Sequence, residues 1–351
     1  MTPRPPTGGP KRAAASTLLV LGASLFGVGA TAVGAEVRVE LEVVSEMPLL
    51  GTDAAAWSAV LTRAGFSSVR FRVGQDAPSL TQGGTAAART YRVVGVLNAQ
   101  KQLLLPHGRF ALNDAGAIQR WLKTLRDEGE EGLTTQPAGF GLLPRQLVEV
   151  QQALAAPVRM ATKGQPPREV ARQIAAEVPL PFVSDTTVPP VLAAGEGVAD
   201  ELQGLAAGTA LAALLRPLGL VLVPEKEAGK LRLRIAMAGQ AREFWPVGWP
   251  PKEPPGQTLP ELFKFLNVEI DRTPVADVVE AIRQRVQVPV LYDHLALARH
   301  KVDLLAPVSV PKSHTFYAKA LSQALASARL KYELRVDEAG KPFLWITTLR
   351  P

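Results

Sequence analysis

Residues 165–185, QPPREVARQIAAEVPLPFVSD, align without a gap on residues 273–293, TPVADVVEAIRQRVQVPVLYD, at a constant offset of 108. Six positions are identical: Pro166/Pro274, Val170/Val278, Ile174/Ile282, Val178/Val286, Pro181/Pro289 and Asp185/Asp293. Downstream, Glu227-Ala228-Gly229-Lys230 recurs as Glu338-Ala339-Gly340-Lys341. A long unit present only twice reads as a duplicated small domain and not as a solenoid. The identities fall on apolar and turn positions, not on reactive groups. That points to modules that bind or build.

The second copy is the clearer. Leu266, Val268 and Ile270 alternate with Asn267 and Glu269, the pattern of a strand. Thr273 is the expected N-cap, with Pro274 at the first helical position and Asp277 in the first turn. Val275, Val278, Val279, Ile282 and Val286 follow helical spacing, so one face is core. Residues 288–292 read as a strand, and 302–310 contain another. Ser313 or His314 precedes a helix burying Phe316, Ala320, Leu321, Ala324, Leu325 and Ala328. A hairpin closes the unit, turning at 337–340. The order is β-α-β-β-α-β-β. The first copy departs at 189–204, where Pro189, Pro190, Gly195, Gly197 and Gly204 predict an irregular insertion, and Pro217 stops its second helix early.

Working outward, residues 36–132 form a further α+β segment. Val37, Val39, Leu41 and Val43 alternate with charges, as do Val69, Phe71 and Val73. Asp53 is the expected cap of a helix carrying Trp57, Val60 and Leu61. Residues 91–97 and 102–112 predict a hairpin, and Asn113 or Asp114 starts a helix presenting Ile118, Trp121, Leu122 and Leu125. Two helices on one side of a sheet make an α+β layer. The reading is therefore α+β, with three small sandwich-type domains at 36–132, 157–237 and 261–351. Residues 133–156 are a linker with a short helix. Residues 238–260 are a Pro-rich linker whose core, 245–256, is too proline-rich for helix or central strand.

The first 35 residues give an address. Arg4, Lys11 and Arg12 precede an uncharged run from Ala13 to Ala35 that closes on small residues. This reads as a secretory signal peptide spanning 1–35, cleaved before Glu36, with an uncleaved membrane anchor as the alternative. The expected location is periplasmic or otherwise extracytoplasmic, with the membrane reached only through an uncleaved signal. Removing the segment takes three cations and lowers the formal charge from +7 to +4. No Lys/Arg run exceeds two residues, so no nucleic-acid partner is expected. The chain has no cysteine, which excludes disulfides, thiolate metal sites and a cysteine nucleophile.

The repeated pattern carries a resemblance. A strand leads into Pro-hydrophobic-x-Asp/Glu-Val, a helix, hydrophobic-Pro-hydrophobic-x-x-Asp, an Ala-Leu-x-x-x-Leu helix and a hairpin. The carrying residues are Pro274, Asp277, Val278, Ile282, Val290, Asp293, Ala320, Leu321, Leu325, Leu330 and Tyr332. In the first copy they are Pro166, Glu169, Val170, Ile174, Asp185, Leu211, Leu215 and Leu220. This resembles the short N-terminal domains of secretins and TonB-dependent receptors and the related secretin N-domains, over about 160 residues of the 351. The resemblance implies periplasmic modules that contact partner proteins, often stacking into rings or docking on an inner-membrane complex. Neither a β-rich gate domain nor a plug and barrel is read here, so the chain is not expected to be the pore itself.

Chemistry-bearing clusters are sparse. Asp293, His294 and His300 are the candidates for a metal or acid–base site, since His–carboxylate pairs ligate metals. Their spacing matches no recognised ligand set, and Asp293 capping a short turn beside two solvated histidines is the favoured reading. His314, His107-Gly108-Arg109 and the pair Glu130-Glu131 read as turn, strand and surface residues. Arg70, Arg72, Arg89 and Arg92 read as a solvated sheet face. Nucleophile, phosphate-loop and dinucleotide motifs are absent, and no cofactor is expected. Trp245 and Trp249 either stack on a cell-wall glycan or staple their linker to a neighbouring domain, and burial of so much apolar surface favours the staple. For protein contacts we expect exposed sheet edges at Leu231, Leu233 and Ile235 and at Phe343 and Trp345. The expected function is a non-enzymatic envelope scaffold that binds another envelope protein or itself. The alternatives are a peptidoglycan- or glycan-binding protein and an extracytoplasmic metal-dependent hydrolase.

Overall fold

The computed structural model describes residues 36–48, 51–85, 88–227 and 229–349. The expected signal segment, 1–35, lies outside them. The fold is mixed α+β with several small sheets. Apolar side chains gather into three clusters along the chain.

In the N-terminal segment, β1 (Glu36–Ser45) continues through α1 (Gly51–Ala64) into β2 (Ser68–Val73), which pairs parallel to it. Then come β3 (Ser79–Gly84), β4 (Ala88–Leu97), β5 (Leu103–Leu105), β6 (Gly108–Phe110) and α2 (Ala115–Thr134). β1 sits between β2 and β4, parallel to both. Trp57 and Leu61 of α1 and Ile118, Trp121, Leu122 and Leu125 of α2 pack on Val39, Leu41 and Val43. Three details differ from expectation. α1 begins at Gly51, so Asp53 lies in its first turn and is not the cap. β3, with the polar sequence SLTQGG, carries no alternation to reveal it. α2 runs through Gly129, whose φ of +71° kinks it without ending it, so helix occupies the first residues of the expected linker. Asp114 is the N-cap residue, but its carboxylate turns back to accept the Ala111 N–H at 2.8 Å.

After α3 (Pro144–Ala153), the middle segment runs α4 (Pro167–Glu177), β7 (Phe182–Ser184), α5 (Val188–Ala194), α6 (Ala207–Leu215), β8 (Leu220–Glu227) and β9 (Lys230–Met237). Following α7 (Pro255–Thr258) in the Pro-rich linker, the C-terminal segment runs β10 (Phe265–Pro274), α8 (Val275–Val286), β11 (Val290–Tyr292) and α9 (His294–Arg299). It ends with β12 (Pro307–Phe316), α10 (Tyr317–Ser327), β13 (Leu330–Val336) and β14 (Pro342–Thr348).

Each of these segments holds a three-stranded sheet of one topology. β7 pairs parallel to β9, which pairs antiparallel to β8. β11 pairs parallel to β14, which pairs antiparallel to β13. β9 and β14 are therefore central strands. This corrects the expectation that they are free edges. Leu233, Ile235, Phe343 and Trp345 are buried and Leu231 is half-buried, because those strands are enclosed by two neighbours and packed on both sides.

The C-terminal segment adds an antiparallel pair, β10–β12. β10 extends through Thr273 and Pro274, which pair with Val308 and Pro307, so Pro274 becomes the N-cap and α8 starts one residue later than expected. Ser313 and His314 lie inside β12, and α10 begins at Tyr317. The middle segment has no strands at the equivalent place. Residues 157–165 and 198–206 instead run past one another as loops. Backbone bonds Val158 N–H to Leu205, Gly204 N–H to Val158, Gly164 N–H to Val198 and Val198 N–H to Gln165 hold them. Thr162 and Glu201 fasten the centre: the Glu201 carboxylate accepts both the Thr162 N–H and its hydroxyl at 2.9 Å. Proline at 157 and glycines at 164, 197 and 204 explain why a regular ladder does not form.

Candidate functional site

Among the described residues, several half-buried and buried polar groups converge where the middle and C-terminal segments meet. Asp293 directly follows β11, is 3% exposed and caps α9 by accepting the Ala296 N–H at 3.2 Å. Arg216, just past the end of α6, grips the same carboxylate with two parallel bonds of 2.8 and 2.9 Å. The Thr347 hydroxyl donates a third contact at 3.2 Å. Burial acts to raise the Asp293 carboxyl, but the Arg216 guanidinium, the Ala296 N–H and Thr347 outweigh it and hold the group below its ordinary value.

One residue on, His294 points Nε2 at Asp200 of the middle segment, 3.0 Å away. The same Asp200 oxygen accepts the Tyr292 N–H at 2.9 Å. The Asp200 bond raises the histidine above its ordinary value, against the lowering effect of burial, with added support from the Asp200 and Asp293 charges.

A third contact is made by the β13–β14 turn. Asp337 accepts the Ala206 N–H at 2.9 Å. Glu338 accepts the Thr209 N–H and hydroxyl, each at 3.0 Å, and the Trp245 indole N–H at 2.6 Å. Two carboxylates thus satisfy orphan N–H groups at the N-terminus of α6, where the helix dipole also favours negative charge. Burial raises the Glu338 carboxyl despite these bonds. Lys341 completes the turn's docking by donating to the Gly204 carbonyl at 2.9 Å.

The linker tryptophans close the joint. Trp245 is 2% exposed and stacks on Phe140 at 5.7 Å, with Trp249 edge-on at 5.2 Å. The Trp245 N–H reaches Leu222 of β8, and Trp249 exchanges backbone bonds with Val336 of β13. Both indoles staple the linker, and Trp245 has no free face for a sugar to stack on.

Beside these contacts lies a cleft of about 430 Å³. Ala212, Arg216 and Leu220–Leu222 form one wall, and Leu295 and Arg299 of α9 another. Trp345 lies against Arg335 at 5.3 Å and Arg216 at 6.0 Å. Glu333 pairs with both Arg335 and Lys331, and Phe244, 41% exposed, stands at the rim. Four basic residues (Arg216, Arg299, Lys331 and Arg335) and two acidic ones (Asp293 and Glu333) line the cleft, beside the indole of Trp345.

Of the metal candidates, Asp293 and His294 are adjacent but turned to different partners. His300 closes α9 as its C-cap with an exposed side chain. The three are not brought together, and no group of three His, Cys, Asp or Glu able to hold a metal occurs among the described residues. His314 lies on β12 facing Asn267 at 3.0 Å, and Arg72 and Arg92 pair with acids on their sheet face. Sequence reasoning missed Arg216, Asp200 and Thr209, whose importance depends on long-range partners. The recurrence of Glu338-Ala339-Gly340-Lys341 was the available signal for the third contact. Among the described residues no helix is long and apolar enough to cross a membrane. Comparison of the chain with family models, curated proteins and solved structures found no match.

Proposed function

We propose that the chain is a non-enzymatic, secreted cell-envelope protein that acts as an interaction scaffold built on secretin N-domain-like modules. The observation that carries this reading is where the buried and half-buried ionisable groups at the joint are used. Asp293, Arg216, His294, Asp200 and Glu338 are each engaged in joining two segments, and each has its partner. Groups arranged for catalysis are instead left poised toward a reacting atom. The two segments become one rigid platform that also shares apolar core, with Leu291, Phe343 and Trp345 packed among middle-segment residues. The cationic cleft and its Phe244 rim are the surface offered to an envelope partner.

Crosslinking of intact cells followed by mass spectrometry tests this. The expected result is crosslinks from Lys331 or Lys252 to another extracytoplasmic protein, lost when Phe244 and Arg299 are both replaced by Ala. Recovery of the chain with no protein crosslinked, including no second copy, sinks the reading.

A further inference from the structure

The cleft at the joint holds more positive charge than its own carboxylates neutralise. Its cations sort by partner. Arg216 is matched by Asp293, which takes Nε and Nη2 and leaves Nη1 over. Lys331 and Arg335 share one carboxylate, Glu333, at 2.8 and 2.6 Å. Arg299, exposed at the end of α9, has no carboxylate partner among the described residues. Four cations and two carboxylates thus leave two positive charges over within one cavity of about 430 Å³.

The repeat offers a comparison. Directly opposed residues of an antiparallel pair share a face. Glu333 with Trp345 and Arg335 with Phe343 therefore define the cleft face of the C-terminal sheet. Trp345 pairs with Leu291, and Arg234 with Val183, which holds the equivalent place in the aligned stretch 165–185. The matching face of the middle sheet is thus the one that carries Arg234, Arg232 and Glu225. There Arg232 and Arg234 meet Glu225, Glu227 and Asp185, so that face neutralises itself. Surplus cations are not a property of the repeated sheet. They belong to the one cleft.

Holding like charges together in a half-buried place costs electrostatic energy that solvent screens only in part. Arg216 and Arg335 lie 6.0 and 5.3 Å from the centroid of the Trp345 ring. The Val247 carbonyl accepts from Arg335 Nη1 at 2.7 Å and fixes that side chain. Phe244, Pro246 and Leu295 line the same cavity without charge, and the Phe244 ring is 41% exposed.

We propose that the cleft binds an organic phosphate monoester, with its phosphoryl oxygens among Arg299, Lys331, Arg335 and Arg216 Nη1 and its organic body against Phe244 and Leu295. A monoester carries a charge of about −1.5 to −2 near neutral pH, which offsets the surplus. Guanidinium groups present paired N–H donors that match phosphate oxygens. The cavity lies within the range of about 300–1,000 Å³ found for small-molecule sites, more room than a bare phosphate fills. Arg216 comes from the middle segment and the other cations from the C-terminal one, so the bound ligand also fastens the joint. The inference rests on the scaffold reading only in taking this cleft as the surface in use, and it needs no second protein.

Calorimetric titration of the mature chain with phenyl phosphate tests this. One molecule per chain is expected, with inorganic phosphate binding at least about tenfold more weakly and phenol not saturating. Arg299→Gln and Lys331→Gln alter exposed side chains. Each is expected to weaken phenyl phosphate by about tenfold or more, with an unchanged circular dichroism spectrum. Lys312→Gln removes a cation on β12, outside the cleft, and is expected to leave binding as it was. Flotation with phosphatidylcholine vesicles containing phosphatidic acid separates two sources of the monoester. Capture that the cleft substitutions abolish assigns it to a lipid headgroup, and phenyl phosphate binding without capture assigns it to a soluble molecule. Absence of saturable phenyl phosphate binding, or binding that Lys312→Gln weakens as much as Arg299→Gln does, overturns the inference. Protein crosslinks that need Phe244 and Arg299, in a chain that binds no phenyl phosphate, leave the scaffold reading standing and sink this one. Phenyl phosphate binding in a chain that crosslinks to no protein does the reverse.

Discussion

Two hairpin turns differ by one residue in five: Lys226-Glu227-Ala228-Gly229-Lys230 and Asp337-Glu338-Ala339-Gly340-Lys341. Both place glycine at φ +79°, a conformation that costs other residues a steric penalty. Their glutamates differ in surroundings. Glu227 is 63% exposed and pairs with Arg232 of its own hairpin. Glu338 is largely enclosed and bonded to Thr209 and Trp245 of another segment. The first residue selects the partner. Lys226 meets an acid on helix α2, whereas Asp337 meets the N–H groups that open helix α6. The two turns thus dock through different residues: Lys226 on α2, and Asp337 and Glu338 on the start of α6.

The repeated aspartates extend the comparison. Asp185 meets Arg234 at 3.3 Å with both side chains about a quarter exposed. Asp293 meets Arg216 in a bidentate pair with only 4% of the carboxylate side chain exposed. Arg216→Ala should therefore have the largest effect, about 2–4 kcal/mol, because it strands a buried charge. Arg234→Ala, at the half-solvated counterpart, should cost under about 1 kcal/mol. Urea unfolding of both variants checks this, and equal costs would break the contrast.

Next in size, Glu338→Ala leaves the Thr209 and Trp245 N–H groups without acceptors and should cost about 1–3 kcal/mol. Glu227→Ala should stay within about 0.5 kcal/mol. Because burial already raises the Glu338 carboxyl, Glu338→Gln should retain more stability than the alanine variant, and thermal unfolding ranks the three.

The smallest effect is a pH profile. His294 is raised in the folded state, so the stability it contributes is complete below its ordinary value of 6.5 and fades as pH rises through the raised one. Asp293 is lowered, so its contribution is complete above 3.8 and fades as pH falls through the lowered value. The joint between segments should be tightest between those limits. His294→Gln should flatten the alkaline side by under about 1 kcal/mol, since the imidazole is 29% exposed and solvent screens its pair. Calorimetry across pH 4 to 9 reads the difference.

Much of the fold was legible because its signals are local. Alternation in 37–43 and 266–270, helical spacing in 275–286 and the glycine turns depend on neighbours a few residues apart. Boundaries failed where a partner strand intervened: β10 continues through Thr273 because Val308 pairs with it, and no pattern within 265–274 contains that fact. The site was half legible. Asp293 was singled out from sequence and Trp245 was read as a staple, yet Asp293 was singled out beside the wrong partner, since Arg216 lies 77 residues away.

By itself the sequence determined the repeated stretches, the mixed α+β character and the absence of thiol chemistry, because periodicity and composition act along the chain; the expected β-α-β-β-α-β-β order did not hold, since α9 interrupts it in the C-terminal segment and the middle segment lacks its first strand and gains α5. Tertiary structure alone decided which of the two repeated aspartates is buried and which strand of each sheet is central. Those outcomes depend on how desolvation and pairing balance between surfaces far apart in the chain, and a residue's identity does not reveal what will be packed against it.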